Sequence, residues 1–441
     1  MQIVRSIFLL FIADAIILMF SAVFAFGCFN FQGFLIGILN VILGLSILYL
    51  KDNYKIRELK ISCKSAYLLF EGMIFLNIVL FVFSLILTKN ILFSTEICLK
   101  NLFVSFLLLF FGRILVCIYR KFFEKHRKVL ILGVNNRADK IISTINSTPS
   151  LKAGVVGVVK ESCEEFDFDG KIFDNPSEIF SIIKEYGVDI VVVTAETKYL
   201  LDIPKKVKCF KMTDLYEIIT GKYFIDAENI EALFWYISSH NSKFYNFSKR
   251  AFDLISSFII FVVTLPITFF VSVAVFWADK HSPFYAQRRV TKNKKIFNAY
   301  KLRTMYLNKY VPTSDNLDKA ENQSEDSRVI PFCKFVRKAR FDELPQMINI
   351  LKGEMSIVGP RAEWDELVKV YENNIPYHNC RHWVKTGWTG WAQINQGHCF
   401  AGDNEQIKLE YDLYYIKHRN LIWEIGILIK AIFMALGGRH G

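Results

Sequence analysis

The sequence predicts an integral membrane α/β protein, on three observations. Four apolar stretches of nearly membrane-crossing length fill the first 125 residues. Short β-branched runs then alternate with amphipathic segments. A fifth apolar run, 251–278, separates these from an arginine-rich C-terminal stretch. Of 441 residues, 52% are hydrophobic and 22% charged, which excludes a disordered chain. The nine cysteines (28, 63, 98, 117, 163, 209, 333, 380, 399) are odd in number and have no framework spacing. They argue against a disulfide scaffold and for a reduced compartment. With this hydrophobicity, the net charge of +12 points to an anionic membrane face rather than to nucleic acid.

The four stretches, 7–26, 31–50, 66–87 and 97–119, each approach the ~20 residues a spanning helix needs. Lys51, Lys55, Arg57, Lys60 and Lys64 join the second to the third. Arg120, Lys121, Lys125, Arg127 and Lys128 follow the fourth, while the connection at 27–30 has no charge and the third has little beyond Lys89 and Glu96. This asymmetry places both ends of a four-helix transmembrane region, 1–125, in the cytoplasm. Asp14, Glu71 and Arg113 fall in or at the edges of these stretches and read as snorkelling or interhelical groups.

From 126 to 230 the pattern is strand (128–134), helix (138–145), strand (154–159), helix (176–186) and strand (189–194). That is a Rossmann-like, doubly wound parallel domain. Its first turn, Gly133-Val134-Asn135-Asn136-Arg137-Ala138, keeps one glycine of G-x-G-x-x-G. Asn135 stands where a glycine lets backbone approach a pyrophosphate, so the domain reads as degenerate, scaffolding or regulatory rather than NAD-binding.

Residues 231–250 read as a linker. The run 251–278 is long enough to span, yet Lys249-Arg250 precede it and Lys280, Arg288, Arg289 and 292–295 follow. Basic flanks on both sides disfavour a single crossing, and Pro266 near the middle removes a helix hydrogen bond. A broken, re-entrant helix kinked at Pro266 reconciles these facts; a kinked spanning helix is the alternative.

The chemistry lies in 279–441. Arg289, Lys301, Arg303, Arg337, Arg340 and Arg361 surround one adjacent acidic pair, Asp342-Glu343. A helix from Leu344-Pro345 through 347–351 to Gly353 places the pair at a helix N-terminus. An ionised carboxylate among phosphate-binding cations has two natural tasks, attack on phosphorus or holding Mg²⁺ against a diphosphate. The alternative is a charge that merely stabilises the helix. His378-x-Cys380-x-His382 matches no common zinc spacing, Trp383, Trp388 and Trp391 read as packing, and 321–326 as an acidic loop.

From Lys249 to the C-terminus the chain resembles the polyprenol-phosphate sugar-1-phosphate transferases, the monotopic phosphoglycosyltransferases or bacterial sugar transferases. The resemblance rests on several motifs in order: Lys249-Arg250 with Asp253, then Pro266, Tyr300-Lys301-Leu302-Arg303-Thr304-Met305, and the Asp342-Glu343-Leu344-Pro345-Gln346 block running to Val358-Gly359-Pro360-Arg361. Gly387-Trp388-Thr389-Gly390-Trp391-Ala392-Gln393 and Tyr411-Asp412-Leu413-Tyr414-Tyr415 complete it. It implies a helix-rich α/β catalytic domain and a two-step exchange. Asp342 would take sugar-1-phosphate from a nucleotide diphosphate sugar, expected as a UDP-hexose, releasing UMP, and pass it to undecaprenyl phosphate. Glu343 would help bind Mg²⁺, Arg289, Lys301, Arg303, Arg337 and Arg361 the phosphates or nucleotide, and Asp412 would lie near the site.

The long family form, with four membrane helices and a degenerate nucleotide-binding-like domain, fits the front half. The reading implies a bacterial inner-membrane enzyme with its catalytic domain on the cytoplasmic face, initiating exopolysaccharide, capsule or O-antigen synthesis. Membrane lipid is a further partner, a homo-oligomer is compatible, and nucleic acid is not expected. Departures from the family pattern include Arg288, Thr291, Cys333, Ala362, Thr386 and 395–398, which bear on loop geometry and sugar choice. Two other readings are a membrane-anchored NAD-dependent nucleotide-sugar dehydratase and a non-enzymatic scaffold. The first lacks a second glycine-rich fingerprint and a Tyr-x-x-x-Lys; the second conflicts with an intact acidic pair.

Overall fold

The computed structural model describes residues 2–26, 31–50, 63–88, 91–123, 125–160, 168, 170–194, 203–239, 242–306, 329–396 and 405–436. The expected basic loop at 51–60, the turn at 27–30, Lys89, the acidic loop at 321–326 and residues 397–398 lie outside them. Two units divide the chain, Met1–Thr220 and Gly221–Gly441.

In the first unit no proline precedes Pro149, and the apolar runs fold as α1 (Gln2–Phe26), α2 (Phe31–Leu50), α3 (Cys63–Thr88) and α4 (Ile91–Phe123). Helix α1 packs on α2 and α4, and α3 on the same two. Among the described residues, Thr95–Arg120 of α4 is long and apolar enough to cross a membrane; α1 and α3 contain the shorter apolar stretches Leu10–Ala25 and Leu69–Val82. Arg113 donates to both carboxylate oxygens of Asp14, at 3.1 and 2.8 Å, so these two charges satisfy each other. Asn101 joins Asn40 and Asn77, linking three helices through buried amides. In an apolar surrounding such groups must pair, and here they do.

Beyond them lies a five-stranded parallel sheet of order β3-β2-β1-β4-β5. Strands β1 (Arg127–Leu132), β2 (Ala153–Val159) and β4 (Ile190–Val193) and helices α5 (Asn136–Asn146) and α6 (Ile179–Tyr186) lie where the pattern put them. The edge strands β3 (Lys171–Phe173) and β5 (Lys208–Lys211), and α7 (Met212–Thr220) after them, were not foreseen. Both strands are short, carry lysines and are only half buried, so they lack a core strand's signal. At the first turn the Asn135 Oδ1 accepts from the backbone N–H groups of Arg137 and Ala138 at 3.0 and 3.2 Å. The side chain occupies the amides that a pyrophosphate would need.

In the second unit the expected linker, 231–250, is mostly helical: α8 (Ala227–Ser239) precedes α9 (Lys243–Asp279). Helix α9 has 37 residues and is not interrupted at Pro266. A proline removes one intrahelical bond, and the long apolar run on either side sustains the rest. Both ends of α9 are tied to the same unit. Near its start, Lys249 donates to Asp253 at 2.9 Å and pairs with the fully buried Glu424. Arg250 donates to the carbonyls of Ile350 and Leu351, at 2.7 and 2.8 Å. Asp253 accepts from Ser356 Oγ and from the Ile357 amide at 3.1 Å. Near its end, Val271 and Val275 pack on Val329, Ile330, Cys333 and Val336, and Asp279 pairs with Arg303. Between, the helix is apolar and open: Phe258, Val263 and Phe270 are 60, 69 and 70% exposed.

The rest comprises an antiparallel hairpin, β6 (Phe284–Val290) and β7 (Ile296–Leu302), then α10 (Cys333–Lys338), a 3₁₀ segment Phe341–Gln346 and α11 (Met347–Lys352). A parallel pair follows, β8 (Ser356–Val358) and β9 (Gly387–Thr389), with α12 (Asp365–Asn374) between them. Helices α13 (Trp391–Gln396), α14 (Glu405–His418) and α15 (Leu421–Leu436) complete it. One core of Leu233, Met347, Ile350, Ile357, Leu413 and Ile427 joins helices from both ends of this unit.

Because Asp253 is buried among Lys249, Ser356 and the Ile357 amide, Asp253→Ala strands two donors and leaves Lys249 paired with Glu424 alone. The expected loss is about 2–4 kcal/mol, read as a lowered unfolding midpoint in detergent.

Candidate active site

Strand β7 turns Phe297, Ala299 and Lys301 inward by simple alternation, and Lys301 is 8% exposed. Its ammonium is buried because it meets Glu343, at 3.3 Å. The acidic pair lies in the 3₁₀ segment rather than in the first turn of an α-helix as expected, with Pro345 inside that segment. Arg340 just before it has φ 56°, a left-handed conformation that a non-glycine residue adopts at some cost. That turn brings the Arg340 guanidinium to 3.8 Å from Glu343, and Arg361 approaches the same carboxylate at 3.7 Å. Arg337 stands by Asp342 and donates to Thr304 Oγ1 at 3.4 Å.

Arg361 follows β8 through Gly359-Pro360, where two backbones meet. Gly359 N donates to Thr389 O at 2.9 Å and Gly387 N to Pro360 O at 2.8 Å. A Cβ on Gly387 would lie 2.1 Å from the Gly359 nitrogen. These motif glycines are therefore needed for contact between the two loops that wall the site.

The electrostatics separate the two carboxylates. Burial and the adjacent Glu343 charge push Asp342 up to about 6, against the pull of Lys301 and Arg337. Burial works to raise Glu343 as well, but Lys301, Arg361 and Arg340 outweigh it and hold that carboxyl well below the usual range. Four cations, Lys301, Arg337, Arg340 and Arg361, face two carboxylates, a surplus of two positive charges when both are ionised. Such a surplus suits a diphosphate.

Arg289, Lys301, Glu343 and Arg361 line one cleft with Gln346, Trp388 and Gln393. Asp342 and Arg337 stand beside this lining through Glu343 rather than in it, and Arg303 and Asp412 are not in it either. Arg303 pairs with Asp279 and donates to Ser282 O at 2.7 Å, fastening the end of α9. Asp412 is 1% exposed and forms an ion pair with Arg381 at 2.8 Å. Arg381, itself 1% exposed, also donates to the Arg361 carbonyl at 3.1 Å and so holds that arginine's backbone. Glu363 joins this buried layer through Lys408 at 2.8 Å, and burial pushes Asp412 up to about 6 despite Arg381. Sequence reasoning passed over Arg381, Glu363 and Lys408. A buried arginine between two histidines gives no pattern, although the charged residues near Arg361 were a signal of partners nearby.

Among the described residues no group of three or more His, Cys, Asp or Glu side chains is arranged to hold a metal. Asp342 and Glu343 are nevertheless a fit for magnesium carried by a diphosphate, which takes one or two carboxylates and fills its octahedron with phosphate and water.

Residues 244–438 match the model of the bacterial sugar transferase family. Three relatives show the range of the likeness. The N-acetylgalactosaminephosphotransferase of Aeromonas hydrophila, named for UDP-N-acetylgalactosamine and undecaprenyl phosphate, is 34% identical over 229 residues, 52% of each chain. The undecaprenyl-phosphate glucose phosphotransferase of Komagataeibacter xylinus is 26% identical over 332 residues, 70% of this chain and 58% of that one. The undecaprenyl-phosphate galactose phosphotransferase of Salmonella typhimurium is 30% identical over 203 residues, 43% of this chain and 40% of the relative. The chain spans about half the length of the curated relatives it matches. Residues 244–438 are thus similar to the bacterial sugar transferases.

Proposed function

We propose that the protein transfers a sugar-1-phosphate from a UDP-hexose to undecaprenyl phosphate, giving undecaprenyl-diphosphate-sugar and UMP, and so initiates a surface polysaccharide. The observation that carries this is the setting of the acidic pair: Lys301, Arg361 and Arg340 meet Glu343 at 3.3, 3.7 and 3.8 Å, with Asp342 directly beside it. An Asp342 oxygen attacks the sugar-bearing phosphorus. The bond from that phosphorus to the bridging oxygen breaks, and UMP leaves with the electron pair. An oxygen of the lipid phosphate then attacks the aspartyl-phosphate, and the Asp342 carboxylate is released unchanged. No proton has to move, so positioning and charge neutralisation carry the rate. Lys301, Arg340 and Arg361 hold the diphosphate, with Arg337 on the Asp342 side. Glu343 would hold magnesium, which when bound neutralises charge on the phosphates.

The lipid phosphate stays in the headgroup plane, so the site has to stand there. We read α1–α4 as four transmembrane helices and α9 as a re-entrant membrane segment, on the cytoplasmic face of a bacterial inner membrane. Supporting re-entry, Arg250 and Asp279 lie near opposite ends of α9 and both bond to the same folded unit. A straight helix of 37 residues would be ~55 Å long, enough to carry one end across the bilayer and away from that unit.

Asp342→Asn should abolish UMP release, and mass spectrometry of wild-type protein with donor alone should find a phosphohexose on the peptide containing Asp342. Absence of that adduct under single-turnover conditions overturns the covalent route. UMP release should also fall as pH drops through about 6, because a protonated Asp342 is no nucleophile, and should level off above it. A cysteine at the exposed Lys280 position should react with an impermeant maleimide only from the cytoplasmic side; labelling from the opposite side overturns re-entry.

A further inference from the structure

Two polar atoms belonging to the cleft-lining residues Trp388 and Gln393 are buried without a partner among the described residues: the Trp388 indole Nε1–H and the Gln393 side-chain Oε1. The fold satisfies a comparable group close by, since Trp391 donates its indole N–H to Gly221 O at 2.9 Å. An unpaired donor and an unpaired acceptor on the lining of one cleft complement a ligand that offers both, as a hydroxyl or an acetamido group does. They are neutral, whereas Arg289, Lys301 and Arg361 in the same lining are cationic.

Building on the transfer proposed above, we infer that Trp388 and Gln393 read the sugar of the donor, and so set which hexose is accepted. The covalent order of the donor supports the sugar over the base. The sugar is esterified to the very phosphorus that Asp342 attacks, whereas uracil is removed from it by a second phosphate and a ribose. Glu343, the residue next to Asp342, shares the cleft lining with these neutral groups, which sets them on the side of the sugar-bearing phosphorus. Both residues are also held firmly. Trp388 lies in β9, whose pairing with β8 fixes it relative to Arg361, and Gln393 is in the first turn of α13, directly after that strand. A site that pairs with a substrate hydroxyl discriminates strongly against the analogue lacking it, because the site's own groups are then left unpaired.

The test uses the full chain in lipid nanodiscs with undecaprenyl phosphate and four donors: UDP-glucose, UDP-galactose and their N-acetylamino counterparts. Steady-state UMP release gives kcat/KM for each, and UMP inhibition gives a binding constant for the nucleotide. Trp388→Phe and Gln393→Leu should each lower the ratio between the best donor and its poorer analogues at least tenfold, with the UMP constant changed less than twofold. Deoxy-sugar donors test the wild-type protein itself. Removing the hydroxyl that is read should cost at least tenfold in wild type and little in the matching variant. Unchanged donor ratios, with or without a uniform fall in rate, overturn the inference, as does a tenfold weakening of UMP binding, which assigns the pair to the uridine. Wild-type protein that releases UMP from none of the donors and forms no Asp342 adduct overturns the transfer reading, a result separable from unchanged ratios in an active enzyme.

Discussion

The buried cluster of Lys249, Asp253 and Glu424 at the foot of α9 is the constraint on which the site depends. One cation lies between two carboxylates, Glu424 is fully buried, and Asp253 also accepts from Ser356 and the Ile357 amide. Charges so far from water persist only when each is paired, so the cluster locks α9 to β8 in one register. Strand β8 leads through Gly359-Pro360 directly to Arg361, and Arg361 faces Glu343. The place of Arg361 beside Glu343 is thus determined by where an apolar helix sits. Tyr415 extends the lock, donating to both Val358 O and Glu424 at 3.0 Å.

A second layer of paired charge lies behind the first. Arg381 bonds Asp412 and the Arg361 carbonyl, while Lys408 reaches Glu363 and Glu405. The cleft can therefore hold a surplus of positive charge on its open side without loosening, since the cations of its back wall are already neutralised. Glu343 remains ionised because three cations outweigh its burial, and Asp342 is raised because that fixed negative neighbour adds to its own desolvation. Two carboxyls adjacent in sequence acquire different chemistry from the cations each one meets.

Much of this was legible in the sequence, for particular reasons. The core strands β1, β2 and β4 are apolar on both faces and announce themselves, whereas β3 and β5 sit at the sheet edges with half-exposed lysines and do not. The acidic pair and its cations stood out as composition, but composition does not say which cation reaches which acid. Arg303, read as a phosphate ligand, anchors α9 through Asp279, and Asp412 belongs to the wall behind. Those contacts turn on long-range approach, such as the 45 positions that separate Lys408 from Glu363, and no local period encodes them. Pro266 reads locally as a breaker, yet the helical hydrogen bonding of α9 runs through it from Lys243 to Asp279.

The same reasoning explains why the sequence around 387–393 carries both packing and recognition. Gly387 must be glycine because Gly359 backbone occupies the space of a side chain, and that contact sets β9 beside β8. Once β9 is placed, the intervening Trp388 and the following Gln393 are committed to the cleft, and Trp391 to a stack with Tyr414 and Trp423. Three aromatic or amide positions within one short motif thus divide by the direction in which a strand and a helix turn project them. The Trp391 indole N–H is satisfied by the fold, whereas that of Trp388 is buried without a partner among the described residues.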